Sequence, residues 1–364
     1  MPVEFIGFIG TSHASEIHPH QGPVIDRDYV ETVARAHDQG GFDRALVAFH
    51  STSPESILVA NHAASVTRRL GLMIAHRPGF TAPTLAARQL ATLDQFTGGR
   101  VAVHIITGGS DQELRQDGDH LTKDERYART EEYLDIVRLE WSSPKPFDYK
   151  GKYYDVRNAF GAVKPFNGAD LPIYFGGSSE AAIPVAGKHA DIYALWGETQ
   201  AQVNETISRV RAAAAKWGRD PRFSLSLRPV IADTEEAAWK RARDIEDRTR
   251  ELREKAGLKT SGHIPPNAGS QRLLAAAAQG TRLDKRLWTG VAAITGAAGN
   301  STGLVGTPEQ VGEAMLDYYD LGVTTFLIRG FDPLDDAIAY GRDLIPLVRD
   351  LVAARDANPV RAAS

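Results

Sequence analysis

The chain of 364 residues carries 42 Lys and Arg against 46 Asp and Glu, with 42% hydrophobic and 24% charged residues, an ordinary globular composition able to bury one large core or two smaller ones. A net charge of -4 and the absence of cysteine argue against a nucleic-acid partner and exclude disulfides, thiolate metal sites and a cysteine nucleophile. The opening MPVEFIGFIG has neither the basic nor the long apolar region of a secretory signal, and no run approaches ~20 apolar residues, so the expectation is a cytoplasmic protein with no membrane partner.

The apolar pattern predicts a strand over 3–9 and a helix over 26–40, where Val30, Val33 and Ala34 recur at helical spacing before a Gly-Gly stop. A strand follows at 45–49, a helix at 55–67, a strand at 70–75, a helix at 82–96 and a strand at 101–106. A long charged helix spans 123–141. Residues 147–156, FDYKGKYYDV, alternate aromatic and polar residues around a Lys-Gly turn, which is a hairpin signal. The alternation resumes with a strand at 172–175, a helix at 178–188, a strand at 191–196, a helix at 199–217, a strand at 223–231 and a helix at 234–252. Residues 253–305 read as irregular and as a mobile lid, being long and rich in Gly, Ala and Pro. A helix at 307–321, a strand at 324–328, a helix at 334–354 and a frayed tail at 357–364 complete the chain.

Eight continuous apolar strands alternating with helices fit a (β/α)8 TIM barrel with insertions, a single domain over 1–364. A doubly wound sheet is the alternative, but the GxGxxG turn after its first strand is missing. In such a barrel the active site lies at the C-terminal strand ends. Those ends offer His13 after the first strand, Ser53 after the second, His76 and Arg77 after the third, and His104, Thr107 and Glu113 on and after the fourth. Trp196, Arg228 and Arg329 close the sixth, seventh and eighth. The ring is polar and cationic. It holds no metal-ligand spacing and no GxSxG elbow. Plain structural readings stand beside these: His104 as a hydrogen-bonded core histidine, Arg228 as the partner of an internal carboxylate, and Trp217, Trp239 and Trp288 as packing residues.

The sharpest local signal is LPIYFGGSSEAA at 171–182. A buried strand meets Gly176-Gly177, and Ser178-Ser179-Glu180 opens a helix with an acidic first turn. Free N–H groups and the helix dipole converge at such an end and suit a phosphate. A capped turn without a ligand is the alternative.

TAPTLAARQLATLDQFTGGR, VAVHIITGGSDQE, ERYARTEEY, YFGGSSEAA and YALWGE, in this order, resemble the bacterial luciferase-like flavin monooxygenases, and among them most of all the alkanesulfonate monooxygenases. The resemblance spans about residues 3 to 350. It implies a TIM barrel, reduced FMN as a diffusible co-substrate, molecular oxygen, a separate NAD(P)H-dependent flavin reductase and a homodimer or homotetramer. It also implies that His104, Thr107, Glu113, Arg126 and Tyr127 contact the flavin, that Gly177, Ser178 and Ser179 hold its phosphate, and that a cis non-proline peptide lies within 73–76, around Ala75.

The sequence departs from the alkanesulfonate enzymes on the substrate side. Ser53 replaces their cysteine, Ser226 and Arg228 their strand-seven arginine and histidine, Thr295 a loop arginine, and Phe331 a tyrosine. Trp196 is kept. The expectation is retained flavin chemistry on a small organosulfur substrate other than a plain short alkanesulfonate, with Arg228, Trp196, Ser53, His13 and Arg329 on the substrate side and carbon–sulfur cleavage as the outcome. The alternatives are a deazaflavin-dependent dehydrogenase on the same barrel and a non-catalytic FMN carrier.

Overall fold

The computed structural model describes residues 2–357 apart from 169, 261, 263, 264 and 266. Eight strands close a barrel: β1 (Glu4–Ile9), β2 (Arg44–Val47), β3 (Gly71–His76), β4 (Val101–Ile105), β5 (Ile173–Gly176), β6 (Ile192–Trp196), β7 (Arg222–Leu227) and β8 (Val323–Ile328). They neighbour one another in sequence order and β8 returns to β1. The pairs β1–β8, β8–β7, β3–β4 and β4–β5 are parallel. Every residue of β3 and β8 is buried, as expected of strands covered on both faces. The expected (β/α)8 barrel is therefore the fold.

Local chemistry sets the helix starts. Asp26 accepts the Tyr29 amide at the head of the helix Arg27–Gln39. Thr122 with Glu125, and Thr307 with Gln310, form capping boxes on Lys123–Ser142 and Pro308–Asp320. The expected hairpin forms from Phe147–Lys150 and Asp155–Ala159. Glu132 holds its turn by accepting the amides of Lys152, Tyr153 and Tyr154 at 2.7, 2.8 and 3.2 Å.

The structure corrects the sequence reading at several points. The strand expected over 223–231 stops at Leu227. Pro229 has no N–H to continue a ladder, and Val230–Ile231 passes into a second sheet, pairing with Gly303–Gly306. Arg228 stands in the break, beyond the strand. The stretch 253–305 is largely regular where it is described: it contains the helices Ala268–Ala277 and Gly290–Thr295 and three short strands of that second sheet. Positions 261, 263, 264 and 266 of the expected lid lie outside the described residues, as does 358–364 of the expected tail. No cis peptide occurs among the described residues; residues 73–76 run in unbroken register with β4, Ala75 opposite His104. Trp288 is buried, as a packing residue should be, but Trp217 is 56% exposed, with the Lys188 ammonium over its ring.

By packing, the chain divides into two compact units. One comprises Met1–Ala45, Ala194–Ser208 and Arg222–Ser364, the other Leu46–Tyr193 and Arg209–Pro221. In the first, Val230, Ile245, Trp288, Val291, Val305 and Phe331 share one apolar cluster. No helix among the described residues is long and apolar enough to cross a membrane.

Candidate active site

In the second unit, the turn after β5 carries the phosphate-site candidates. The helix here is Ala182–His189, capped by Ala181 without a side-chain bond and with no acidic residue in its first turn. Ser178 and Ser179 thus precede the helix and do not cap it by their side chains, a correction to the sequence reading. The Ser179 carbonyl accepts the amides of Ala182 and Ile183 at 3.0 and 3.3 Å, and Glu180 turns outward to Arg209. The consequence lies in the hydroxyls. Ser178 Oγ and Ser179 Oγ are both buried, and neither has a hydrogen-bond partner. A buried polar group left unpaired costs about 1–3 kcal/mol, and an anion accepting both bonds would recover it.

Gly177 shapes this turn. Its φ of 135° lies where side chains are strained, and a Cβ there would stand 2.6 Å from the Tyr127 hydroxyl. Tyr193 donates its hydroxyl to the Gly177 carbonyl, and Tyr127 packs its ring against Phe175. Tyr127 is therefore beside the turn.

His104 lies in register between Ala75 of β3 and Tyr174 of β5. Its Nδ1 is buried without a partner, and burial lowers its pKa to about 4. It presents a neutral ring, able to meet a polar heterocycle, rather than the satisfied core histidine that sequence statistics favour. Thr107 is half-buried just beyond the end of β4.

Two expected flavin contacts are committed to protein partners. Arg126 is buried, pairs with Asp111 at 2.8 Å and donates to the Leu121 carbonyl at 2.6 Å; its Nε alone remains without a partner. Glu113 binds Arg77 at 2.6 Å and accepts the Ser51 amide at 3.1 Å. Burial would raise the Glu113 pKa, but the Arg77 bond and the Ser51 amide bring it below the usual carboxylate range. Arg77 Nη1 also donates to Ser51 Oγ at 3.1 Å, so the loops after β2, β3 and β4 are tied together. Ser53 closes a local turn, donating to the His50 carbonyl and accepting the His50 amide, each at 2.9 Å.

In the first unit, Arg228 is wholly buried. Its Nη1 meets Glu16 Oε1 at 2.7 Å, its Nη2 donates to the Gly330 carbonyl at 2.8 Å, and its guanidinium lies 3.6 Å from the Phe331 ring centroid. Arg329 reaches the same Glu16 oxygen at 3.5 Å and lies over Phe8 at 4.8 Å. Burial would raise the Glu16 pKa, yet the two arginines bring it to about 2. The Arg329 pKa is lowered to about 10 by burial, with the Arg228 charge adding, so the guanidinium stays charged at neutral pH. The structure thus gives Arg228 an internal carboxylate, the plain alternative left open by the sequence. The partner, Glu16, was missed because the polar loop TSHASEIHPH has no periodicity to single it out.

Around this pair, Ser15 donates to the Phe331 carbonyl at 2.6 Å and His18 meets Asp332 at 2.5 Å. His13 is exposed, with its ring tilted against His18 and edge-on to Tyr29. Trp196 packs against the cluster of Leu273, Ala292 and Ala297, and a Cβ at Gly269 would stand 3.0 Å from its ring, a tight fit. Among the described residues no group of three or more His, Asp or Glu could hold a metal ion.

Solved structures match this fold across nearly the whole chain. A riboflavin lyase with modified FMN and riboflavin is 20% identical, with a TM-score of 0.79 over 96% of this chain and 92% of that one. An EDTA monooxygenase from Chelativorans sp. BNC1 is 17% identical, with a TM-score of 0.74 over 96% and 94%. An F420-dependent secondary alcohol dehydrogenase with an F420-acetone adduct is 18% identical, with a TM-score of 0.67 over 96% and 99%. At these identities the likeness establishes the fold alone. The family model for luciferase-like monooxygenases, however, matches residues 3–325. The chain belongs to the luciferase-like monooxygenase family and is an oxidoreductase.

Proposed function

We propose that the protein is the oxygenating half of a two-component monooxygenase that takes reduced FMN from a separate NAD(P)H-dependent reductase and oxidises a small organosulfur anion. The observation that carries the cofactor is the pair of buried, partnerless hydroxyls at Ser178 and Ser179 on a turn whose Gly177 leaves no room for a side chain. Those hydroxyls would donate to the FMN phosphate, and the neutral His104 would meet the ring system. Bound reduced FMN would supply the two electrons that activate oxygen, one atom passing to the substrate and the other leaving as water. The Arg77–Glu113–Ser51 ties hold three loops in place so that little ordering remains on binding.

On the substrate side, Arg228 and Arg329 are the candidate oxyanion ligands, since guanidinium suits planar, multidentate contact. Trp196 is the candidate wall of that site, His13 an exposed candidate proton carrier, and Ser53 a further candidate whose present bonds are local. Of residues 253–305, the part ahead of the buried Trp288 is the candidate lid. Arg272 would be its anchor, pairing with Glu198 at 2.8 Å and Glu205 at 3.2 Å.

The second reading is a hydride-transferring dehydrogenase using F420, which one fold relative names and which the phosphate turn alone does not distinguish. The deciding experiment supplies reduced FMN from a reductase under oxygen, or oxidised F420 as hydride acceptor without oxygen, across a panel of sulfonates, sulfones and secondary alcohols. The expected result is substrate-dependent oxygenation with reduced FMN, and sulfite release where the carbon–sulfur bond breaks. Substrate turnover with F420 in the absence of oxygen would overturn the monooxygenase reading. Tight FMN binding with no turnover on any substrate would favour the carrier.

A further inference from the structure

We propose that Glu16 is a resident counter-ion lodged on the Arg228–Arg329 pair, and that an oxyanion of the substrate binds by displacing it. The proposal rests on the reading that this pair receives the substrate's anion. Three observations carry it.

The two guanidinium planes are held independently of Glu16. Arg228 lies 3.6 Å from the Phe331 ring centroid and is tied to the Gly330 carbonyl, and Arg329 lies over Phe8. A cation seated on an aromatic face keeps its place when its counter-ion leaves. The carboxylate also serves the pair incompletely. Both arginines meet the one oxygen, Oε1, at 2.7 and 3.5 Å, while Glu16 Oε2 and Arg228 Nε are buried without partners. A sulfonate offers three oxygens where a carboxylate offers two, so it can reach donors that Glu16 leaves unused.

The backbone around Glu16 is fastened on both sides, by Ser15 to the Phe331 carbonyl and by His18 to Asp332. The nearby Arg241 is already taken by Asp332 and Asp336, at 2.9 and 2.6 Å. Glu16 is 22% exposed at its side chain while Arg228 is fully covered. A side-chain rotation of Glu16 toward solvent therefore uncovers the pair without unfastening the loop. Glu16 then sets a threshold: only an anion that binds the pair better than the resident carboxylate is admitted.

The test is calorimetric titration of the full-length protein with methanesulfonate and, separately, with inorganic sulfate. Glu16→Gln keeps the shape and removes the charge, and is expected to bind methanesulfonate at least ~10-fold more tightly than the wild type. Adding Arg329→Met should cancel that gain. Glu16→Asp, one methylene shorter, should give a smaller gain, and it serves as the test if Glu16→Gln does not fold by circular dichroism. Unchanged affinity in whichever of these variants folds, with Arg329→Met still weakening the wild type, would overturn the gate and leave the anion site standing. Affinity indifferent to Arg329 in every background would show instead that the pair does not receive the anion.

Discussion

Acidification from pH 7 to pH 5 is expected to remove about 6 kcal/mol of folding stability, about 2 kcal/mol from each of three buried histidines. His37, His76 and His104 all have pKa values lowered by burial to about 4, and His189, lowered by burial as well, adds in the same direction. Their geometry explains why the neutral form is required. His37 Nδ1 donates to the Val33 carbonyl at 2.7 Å, and its Nε2 accepts the Phe8 amide at 3.3 Å. A proton on Nε2 would set two donors against each other. His76 Nε2 meets the Tyr133 hydroxyl at 2.7 Å in a buried site. In the unfolded chain the first three rings bind a proton near pH 6.5, and in the folded protein only near pH 4. Stability is thus complete above the unfolded value and is lost as pH falls through that window. Glu16, with its pKa lowered to about 2, stays ionised there and adds its own loss only at lower pH. Glu198 and Asp336, raised by burial, act in the opposite direction. Urea unfolding at the two pH values measures the difference; equal midpoints would contradict it.

Replacing Arg228 by methionine is expected to cost about 3 kcal/mol of stability, the low end for breaking a buried ion pair. The low end applies because Arg329 remains within 3.5 Å of Glu16. The substitution also abandons the Gly330 carbonyl and the stacking on Phe331. Arg228→Lys should recover only part, because an ammonium cannot serve Glu16 and Gly330 while lying flat on the ring. Thermal or urea unfolding gives the stability. Reduced-FMN affinity on the same preparation should hold, since every candidate flavin residue belongs to the other compact unit. A melting temperature unchanged from wild type would mean that Arg228 contributes nothing through its internal partner.

The barrel was legible because strands such as β3 and β8 are buried throughout and so read as unbroken apolar runs. Helix starts at Asp26, Thr122 and Thr307 were legible because side-chain capping leaves a local mark. Three features escaped. The serines of the phosphate turn look the same in sequence whether they cap a helix or precede it, and the positive φ of Gly177 postpones the helix to Ala182. The Arg228–Glu16 pair joins residues far apart in the chain, and its position depends on Pro229 ending β7. The short strands Arg282–Leu283 and Leu287–Trp288 are too brief for alternation to show.

The phosphate turn is tested most directly by the anaerobic affinity for reduced FMN against reduced riboflavin, which lacks the phosphate, in the wild type and in Ser179→Asp. With Ser178 and Ser179 donating to the phosphate, FMN should bind the wild type at least ~10-fold more tightly than riboflavin, a difference of about 1.4 kcal/mol. The added carboxylate in Ser179→Asp should repel the phosphate across a few ångströms. It should weaken FMN by a similar factor, leave riboflavin nearly unchanged and preserve the fold. Equal affinities for the two flavins in the wild type, or an FMN affinity indifferent to Ser179→Asp, would contradict a phosphate site at this turn.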